Sequence, residues 1–188
     1  QIYHFASPAS VTYITEHPVE AALVNSLGTK NLLDLAKKQN VPILFASSSE
    51  AYGDPKEHPQ KETYWGNVNP VGMRSGYDEG KRFGEALCMA YNRELGVQVR
   101  IVRIFNTYGP NSSVKDTRVI PQFVTQALRN DPLTVHGDGS QTRSFCYVSD
   151  MVSGFIKMIE SSEIGPINIG SPDEYKIIDI AKKIISAT

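Results

Sequence analysis

Tyr77 and Lys81 stand four residues apart, a spacing that on a helix places both side chains on one face. Tyrosine, with an ordinary pKa near ~10, is a poor base at neutral pH, but a neighbouring ammonium stabilises the phenolate and lowers that value. Such a pair can take a proton from an alcohol. Alone, the spacing is a weak signal, since a tyrosine and a lysine four apart are common on solvated helix faces. Upstream, Ser47-Ser48-Ser49-Glu50 follows an apolar run and brings hydroxyls and a carboxylate to one place, although turns and caps use the same residues. His4, His17, His58 and His136 share no metal-like spacing with one another or with a cysteine, so no metal site is expected.

These groups need elements to position them. Short β-rich runs alternate with longer helical ones, which predicts stacked βα units around a mainly parallel sheet. A buried strand is expected at Ile2-Tyr3-His4-Phe5-Ala6. A helix from Pro18 follows, with Val19, Leu23, Leu27, Leu33 and Ala36 as its apolar positions and Asn40 and Pro42 closing it. Ile43-Leu44-Phe45-Ala46 reads as a central strand that delivers Ser47, Ser48 and Ser49 to its carboxyl end, where such sheets place ligands. Glycines and prolines from 53 to 75 predict a long loop of the functional kind. The spacing then predicts a helix over Gly76 to Leu95, with Phe83, Leu87, Ala90 and Tyr91 on one side and Gly96 as its cap. A strand is expected over Val97 to Phe105, a loop over Asn106 to Asp116 and a helix around Ile120 to Arg129. A strand at Leu133-Thr134-Val135, a turn at Gly137-Asp138-Gly139 and a helix from Ser149 to Glu160 come next. The strand Ile167-Asn168-Ile169 and a helix around Ile177 to Ile185 close the pattern.

With 188 residues the chain lies near the ~150 that make a rough prior for one domain. At 40% hydrophobic and 21% charged it is too apolar for a disordered tail and too charged for a membrane bundle. Nineteen basic residues meet twenty acidic ones, for a net charge of -1, with no basic concentration, so a nucleic-acid partner is not expected. No apolar stretch approaches the roughly 20 residues a bilayer crossing needs, and Gln1 opens no signal peptide. No membrane contact is expected from this segment. Two cysteines, Cys88 and Cys146, are too few for a disulfide scaffold, which fits a reducing cytoplasm. A strand starting on the second residue and a helix still running at Thr188 suggest part of a longer chain.

Five segments in colinear order resemble the extended short-chain dehydrogenase/reductase family of nucleotide-sugar epimerases and dehydratases. They are His4-Phe5-Ala6-Ser7, Ala46-Ser47-Ser48-Ser49-Glu50-Ala51-Tyr52-Gly53, Tyr77-x-x-x-Lys81, Arg103-Ile104-Phe105-Asn106-Thr107-Tyr108-Gly109-Pro110 and Gly137-Asp138-Gly139-Ser140-Gln141-Thr142-Arg143. The resemblance implies a Rossmann-like doubly wound parallel sheet whose N-terminal strands are missing here, with part of a small C-terminal substrate-binding subdomain. On that reading residues 1–110 are the later part of an NAD-binding domain with the catalytic residues. Residues 111–188 are mostly the sugar-nucleotide region, with some segments returning to the first domain.

Within the family, Trp65-Gly66-Asn67-Val68-Asn69-Pro70 and Arg74-Ser75-Gly76-Tyr77-Asp78-Glu79-Gly80-Lys81-Arg82 are most similar to members that decarboxylate UDP-glucuronate to UDP-xylose. By resemblance Ser48, Tyr77 and Lys81 match the catalytic hydroxyl, the base and its tuning lysine, and Glu50 an acid at the reacting sugar carbons. Ser49 occupies the place of an aspartate that related 4,6-dehydratases use to protonate a leaving hydroxyl; losing carbon dioxide needs no such acid. Cofactor contacts would fall to Ala6, Ser7, Ser47, Tyr77, Lys81 and Phe105, and substrate contacts to Glu50, Asn106 and Arg143, whose fork suits a diphosphate. Members commonly pair, which implies a homodimer with the Tyr77 helix near a second subunit. Asn111 departs from the family's usual arginine after Gly109-Pro110, and no GxxGxxG turn or ribose-binding acid occurs in these residues. A 4-epimerase, a 4,6-dehydratase and a non-catalytic dinucleotide-binding regulator are the competing readings.

Overall fold

Ile43, Leu44 and Phe45 form the centre of the sheet, as their uninterrupted apolar run predicts for a strand covered on both faces. The computed structural model describes residues 1–188. In chain order it contains β1 (Ile2–His4), α1 (Val11–Glu16), α2 (Pro18–Leu23), a π-helical turn (Val24–Gly28), α3 (Thr29–Gln39) and β2 (Ile43–Ser48). A 3-10 turn (Ser49–Tyr52), α4 (Ser75–Leu95), β3 (Val99–Ile104), β4 (Thr107–Tyr108) and α5 (Val119–Leu128) follow. The chain ends with β5 (Thr142–Ser144), β6 (Cys146–Tyr147), α6 (Val148–Glu160), β7 (Ile167–Ile169), β8 (Glu174–Lys176) and α7 (Ile177–Ala187).

The chain divides into two units, residues 1–104 with 152–169, and residues 105–151 with 170–188. The first holds a parallel sheet of order β1-β2-β3-β7. Its register sets His4 opposite Phe45, Ser48 opposite Ile104 and Ile104 opposite Ile169, so β2 and β3 finish level. Alternation along β2 sends Ile43 and Phe45 toward Leu33, Ala36 and Cys88, while Leu44 faces Met158 and Ile159. Each fully buried aliphatic side chain here contributes roughly 1.5–3 kcal/mol. The second unit packs Phe123 of α5 on Ile177, Ile180 and Ala181 of α7, with β4 parallel to β6 and β5 antiparallel to β8.

The α/β class with a parallel sheet is the one expected, but several elements differ. β1 ends at His4 rather than Ala6. The helix expected from Pro18 is broken by the π-helical turn, and α1 precedes it. Its inner face is Ala21, Asn25, Thr29, Leu33 and Ala36, whereas Val19, Leu23 and Leu27 are exposed. On α4 the inner face is Tyr77, Gly80, Lys81, Gly84 and Cys88, and Phe83 is exposed. Gly96 ends that helix at φ +67°, the left-handed cap expected of it. Leu133 and Val135 pack on the second core without forming a strand, since no partner strand lies beside them.

Candidate active site

β2 runs out at Ser48, whose backbone is extended and whose Oγ accepts a hydrogen bond from the Glu50 amide at 3.2 Å. The serine thereby caps the turn Ser49–Tyr52 and holds Glu50 just beyond the sheet edge. Gly53, at φ +67°, closes the turn where a β-carbon would meet the Asn67 carbonyl, so the crossing of the loop requires glycine. Arg82 Nη1 donates to the carbonyls of Ala51 at 3.0 Å and Trp65 at 2.6 Å and fastens the loop to α4.

From the other side, α4 approaches β2 on its glycines: Gly84 sits against the Phe45 ring and Gly80 against Asn25 Cβ. That close packing places Tyr77 and Lys81 inward, 9% and 4% exposed. Lys81 Nζ donates to the Ala46 carbonyl at 2.8 Å and lies 5.6 Å from the Tyr77 ring centre and 5.4 Å from that of Phe45. No carboxylate pairs with it in this structure, and burial brings its pKa down to about 8. Tyr77 differs from expectation. Its pKa is raised, first by burial, with a hydrogen bond to Ser48 pulling it down and Glu50 pushing it up. The lowering expected from Lys81 is not among the causes of this shift; the cation that opposes burial here is Arg74.

Glu50 pairs with Arg74 Nη2 at 2.9 Å, and the same nitrogen lies 3.9 Å from Asp78 Oδ1. These three groups, with Asn67 and Asn69, line a cavity of about 620 Å³. The Asp78 carboxyl is pushed up to about 6, by burial first, with Arg74 opposing and Glu50 and Glu79 adding. Neither Arg74 nor Asp78 is among the expected site residues; the signal in sequence is a cation and an acid flanking Tyr77 in the first turn of its helix.

Ser49 is half-buried at the start of the 3-10 turn. Ser47, one of the expected cofactor contacts, turns its side chain the other way. It is 2% exposed and donates to Glu85 Oε1 at 2.6 Å, the carboxylate that also receives the Arg103 fork at 2.9 and 2.7 Å. Alternation along β2 explains this, since Ser47 follows Phe45 onto the α4 face. Ala6 is exposed and Ser7 half-buried directly beyond β1, on the same sheet edge as Ser48, with Ser7 Oγ donating to the Pro8 carbonyl at 3.3 Å. His4, also buried, donates from Nε2 to Thr29 Oγ1 at 2.9 Å, because the Thr29 hydroxyl itself donates to the Asn25 carbonyl. Burial, then the Lys81 charge, lowers the His4 pKa to about 4 and keeps the ring neutral.

In the second unit, Phe105 is half-buried and Asn106 exposed, its Nδ2 donating to the Ser144 carbonyl at 3.1 Å. Arg143 is exposed, donates to the Thr142 carbonyl at 2.7 Å and lines a small cavity of about 110 Å³ with Gln122, His136 and Gln141.

Taken as chemistry, the first unit offers a buried phenol near a serine hydroxyl, a buried ammonium and an ion-paired carboxylate at the carboxyl edge of a parallel sheet. Titratable groups with perturbed pKa values gathered at one sheet edge mark a candidate site for proton transfer at an alcohol. The family described as NAD dependent epimerase/dehydratase matches residues 1–170. The chain is 54% identical over 184 residues to UDP-glucuronic acid decarboxylase 1 of Arabidopsis thaliana, covering 98% of this chain and 42% of that protein. With UDP-glucuronic acid decarboxylase 1 of Xenopus tropicalis it is 50% identical, covering 98% and 44%. The chain thus spans about half the length, or less, of the curated relatives it matches. Its fold is similar to that of UDP-glucose 4-epimerase of Thermotoga maritima solved with UDP-glucose, at TM-score 0.89 and 27% identity over 98% of this chain and 59% of that one. A dTDP-glucose 4,6-dehydratase of Streptomyces venezuelae with NAD bound matches at TM-score 0.85 and 27% identity, over 99% and 56%.

Proposed function

The chain belongs to the NAD-dependent epimerase/dehydratase family, and on that premise we propose that the complete protein decarboxylates UDP-glucuronate to UDP-xylose through a 4-keto sugar. The observation that carries the proposal is the meeting of Tyr77, Ser48 and Lys81 where the carboxyl end of β2 faces the first turns of α4. Their donor set fits the nicotinamide end of NAD: a buried ammonium with a single carbonyl partner beside a phenol suits a ribose hydroxyl. NAD, when bound, supplies the acceptor for the sugar's C4 hydride and the source from which it returns.

Tyr77 removes the proton of the C4 hydroxyl, and Ser48, close enough to act on the phenol, steadies the same oxygen. Lys81 holds positive charge beside the phenolate as it forms; its burial makes that charge count more than it would in water. The resulting C4 ketone lies β to the C6 carboxylate, so the carbon-carbon bond can break with its electrons delocalised onto the ketone. Carbon dioxide leaves, and C5 then takes a proton. Glu50, held by Arg74, and Ser49 are assigned to position the carboxylate or a proton-delivering water. Ser49 offers no carboxyl to protonate a departing hydroxyl, which favours loss of carbon dioxide over loss of water.

Asn106 and Arg143 are the groups we assign to the nucleotide diphosphate. Ala6, Ser7 and Phe105 are assigned to the cofactor, Ser7 through its backbone rather than the hydroxyl that Pro8 holds. A homodimer is proposed on the exposed apolar residues Val19, Leu23 and Leu27, with Phe83 exposed on α4. A reducing compartment, the cytoplasm, suits two free buried thiols, Cys88 and Cys146, and no helix is long and apolar enough to cross a membrane. Incubating the complete protein with NAD and UDP-glucuronate tests the proposal. UDP-xylose is expected, whereas epimerised or dehydrated sugar nucleotide, or unchanged substrate, refutes it.

A further inference from the structure

Resting on the decarboxylase reading, we infer that Arg74 is a positioning residue that sets Glu50 against Tyr77. The guanidinium reaches across to the segment after β2 and pairs with Glu50 at 2.9 Å. The carbonyl of the same residue accepts hydrogen bonds from the Tyr77 and Asp78 amides, both at 3.0 Å, and so starts the helical turn that carries the base. One residue therefore joins two elements far apart in sequence through two different groups. Arg74 Nε and Asp78 Oδ1 are buried and have no hydrogen-bond partner, so charge rather than a filled set of hydrogen bonds holds the guanidinium between the two carboxylates. With Arg74 gone, Glu50 would lose the cation that holds it at the cavity it shares with Asp78 and would be free to turn away. An error of about 1 Å in such a group costs on the order of 10²-fold in rate.

The test is a double-mutant cycle on the complete, NAD-loaded protein turning over UDP-glucuronate: Arg74→Met, Glu50→Gln and both together. Arg74→Met should lower kcat by ~10²-fold while changing KM by less than about threefold, and Arg74→Lys should recover at least about tenfold of that loss. In the Glu50→Gln background Arg74→Met should cost less than about threefold, since the two act as a unit. Unfolding temperatures of the variants are measured alongside. Additive losses, a loss confined to KM, or a loss that Arg74→Lys fails to recover and that follows the unfolding temperature would each overturn the inference. Should Arg74→Met not fold, Arg74→Lys and its double with Glu50→Gln complete the same cycle under the same criteria. A wild-type protein that releases no carbon dioxide refutes the decarboxylase reading, and the inference falls with it; an active wild type with an additive cycle refutes the inference alone.

Discussion

Replacing Lys81 by Met should abolish turnover and yet stabilise the protein near neutral pH. The ammonium is 4% exposed, has one carbonyl partner in this structure, and has its pKa brought from 10.5 to about 8 by burial. At ~1.4 kcal/mol per pKa unit that drop corresponds to roughly 3 kcal/mol of unfavourable burial when the lysine is charged. Methionine fills most of the same space but removes the bond to Ala46, at a cost of about 1–2 kcal/mol. The variant should therefore be more stable than wild type by about 1–2 kcal/mol at about pH 7. The sign follows from proton counting. Between about 8 and 10.5 the unfolded chain keeps the lysine proton and the folded one has lost it, so wild-type stability gained from this group rises with pH across that window. Urea unfolding of the complete protein without NAD, wild type against Lys81→Met, should show the variant's advantage at about pH 7 closing or reversing by about pH 10. A variant that is less stable at both pH values by the same amount would refute the argument that Lys81 is held charged against its burial. Kinetically, turnover should fall by at least ~10²-fold, since the phenolate loses its cation.

Tyr77→Phe should leave NAD and UDP-sugar binding within about threefold while lowering turnover by ~10²–10⁴-fold, measured by calorimetry and product formation; a regulator without catalysis would keep its function. Asp78, raised from 3.8 to about 6, holds its proton longer when folded, so stability falls as pH rises through that window. Asp78→Asn should accordingly raise the unfolding temperature at about pH 8, with the gain shrinking below about pH 5, and a pH-independent gain would contradict the assignment. A methyl at Gly84 would run into the buried Phe45 ring, so Gly84→Ala should lower stability by about 1–3 kcal/mol, outweighing the ~1 kcal/mol alanine gains in a helix. An unchanged urea midpoint would show that the α4–β2 contact can relax.

What could be read from sequence follows where each residue's burial came from. The apolar run Ile43 to Ala46 and the periodic pattern before Gly96 each obey a local rule, and β2 and α4 appear where those rules put them. The helical stretch after Pro18 does not obey one. There polar Asn25 and Thr29 are buried because they bond Ala21, each other and His4, while Val19, Leu23 and Leu27 stay outside. A rule that sends apolar residues inward selects the wrong face. The pairing of Tyr77 with Lys81 on one helix face is legible from spacing, and the delivery of Ser48 and Glu50 to the strand end from the apolar run before them, while the roles proposed for them come from the resemblance. That the Ser47 hydroxyl bonds Glu85, which Arg103 also bonds, is not legible locally, because only the register of β2 with β3 and the packing of α4 bring these residues together. Arg74 was missed for the same reason, as its meaning lies in a carboxylate 24 positions earlier in the chain.

The central claim is that one active site oxidises C4, releases C6 and reduces C4 again. UDP-glucuronate carrying deuterium at C4 and an isotopic carbon at C6, turned over by the complete protein with NAD in ordinary water, tests it most directly. UDP-xylose that keeps the deuterium at C4 is expected, with all the C6 label recovered as carbon dioxide. Product that retains the C6 label, or pentose whose C4 deuterium has been replaced by solvent hydrogen, would contradict it.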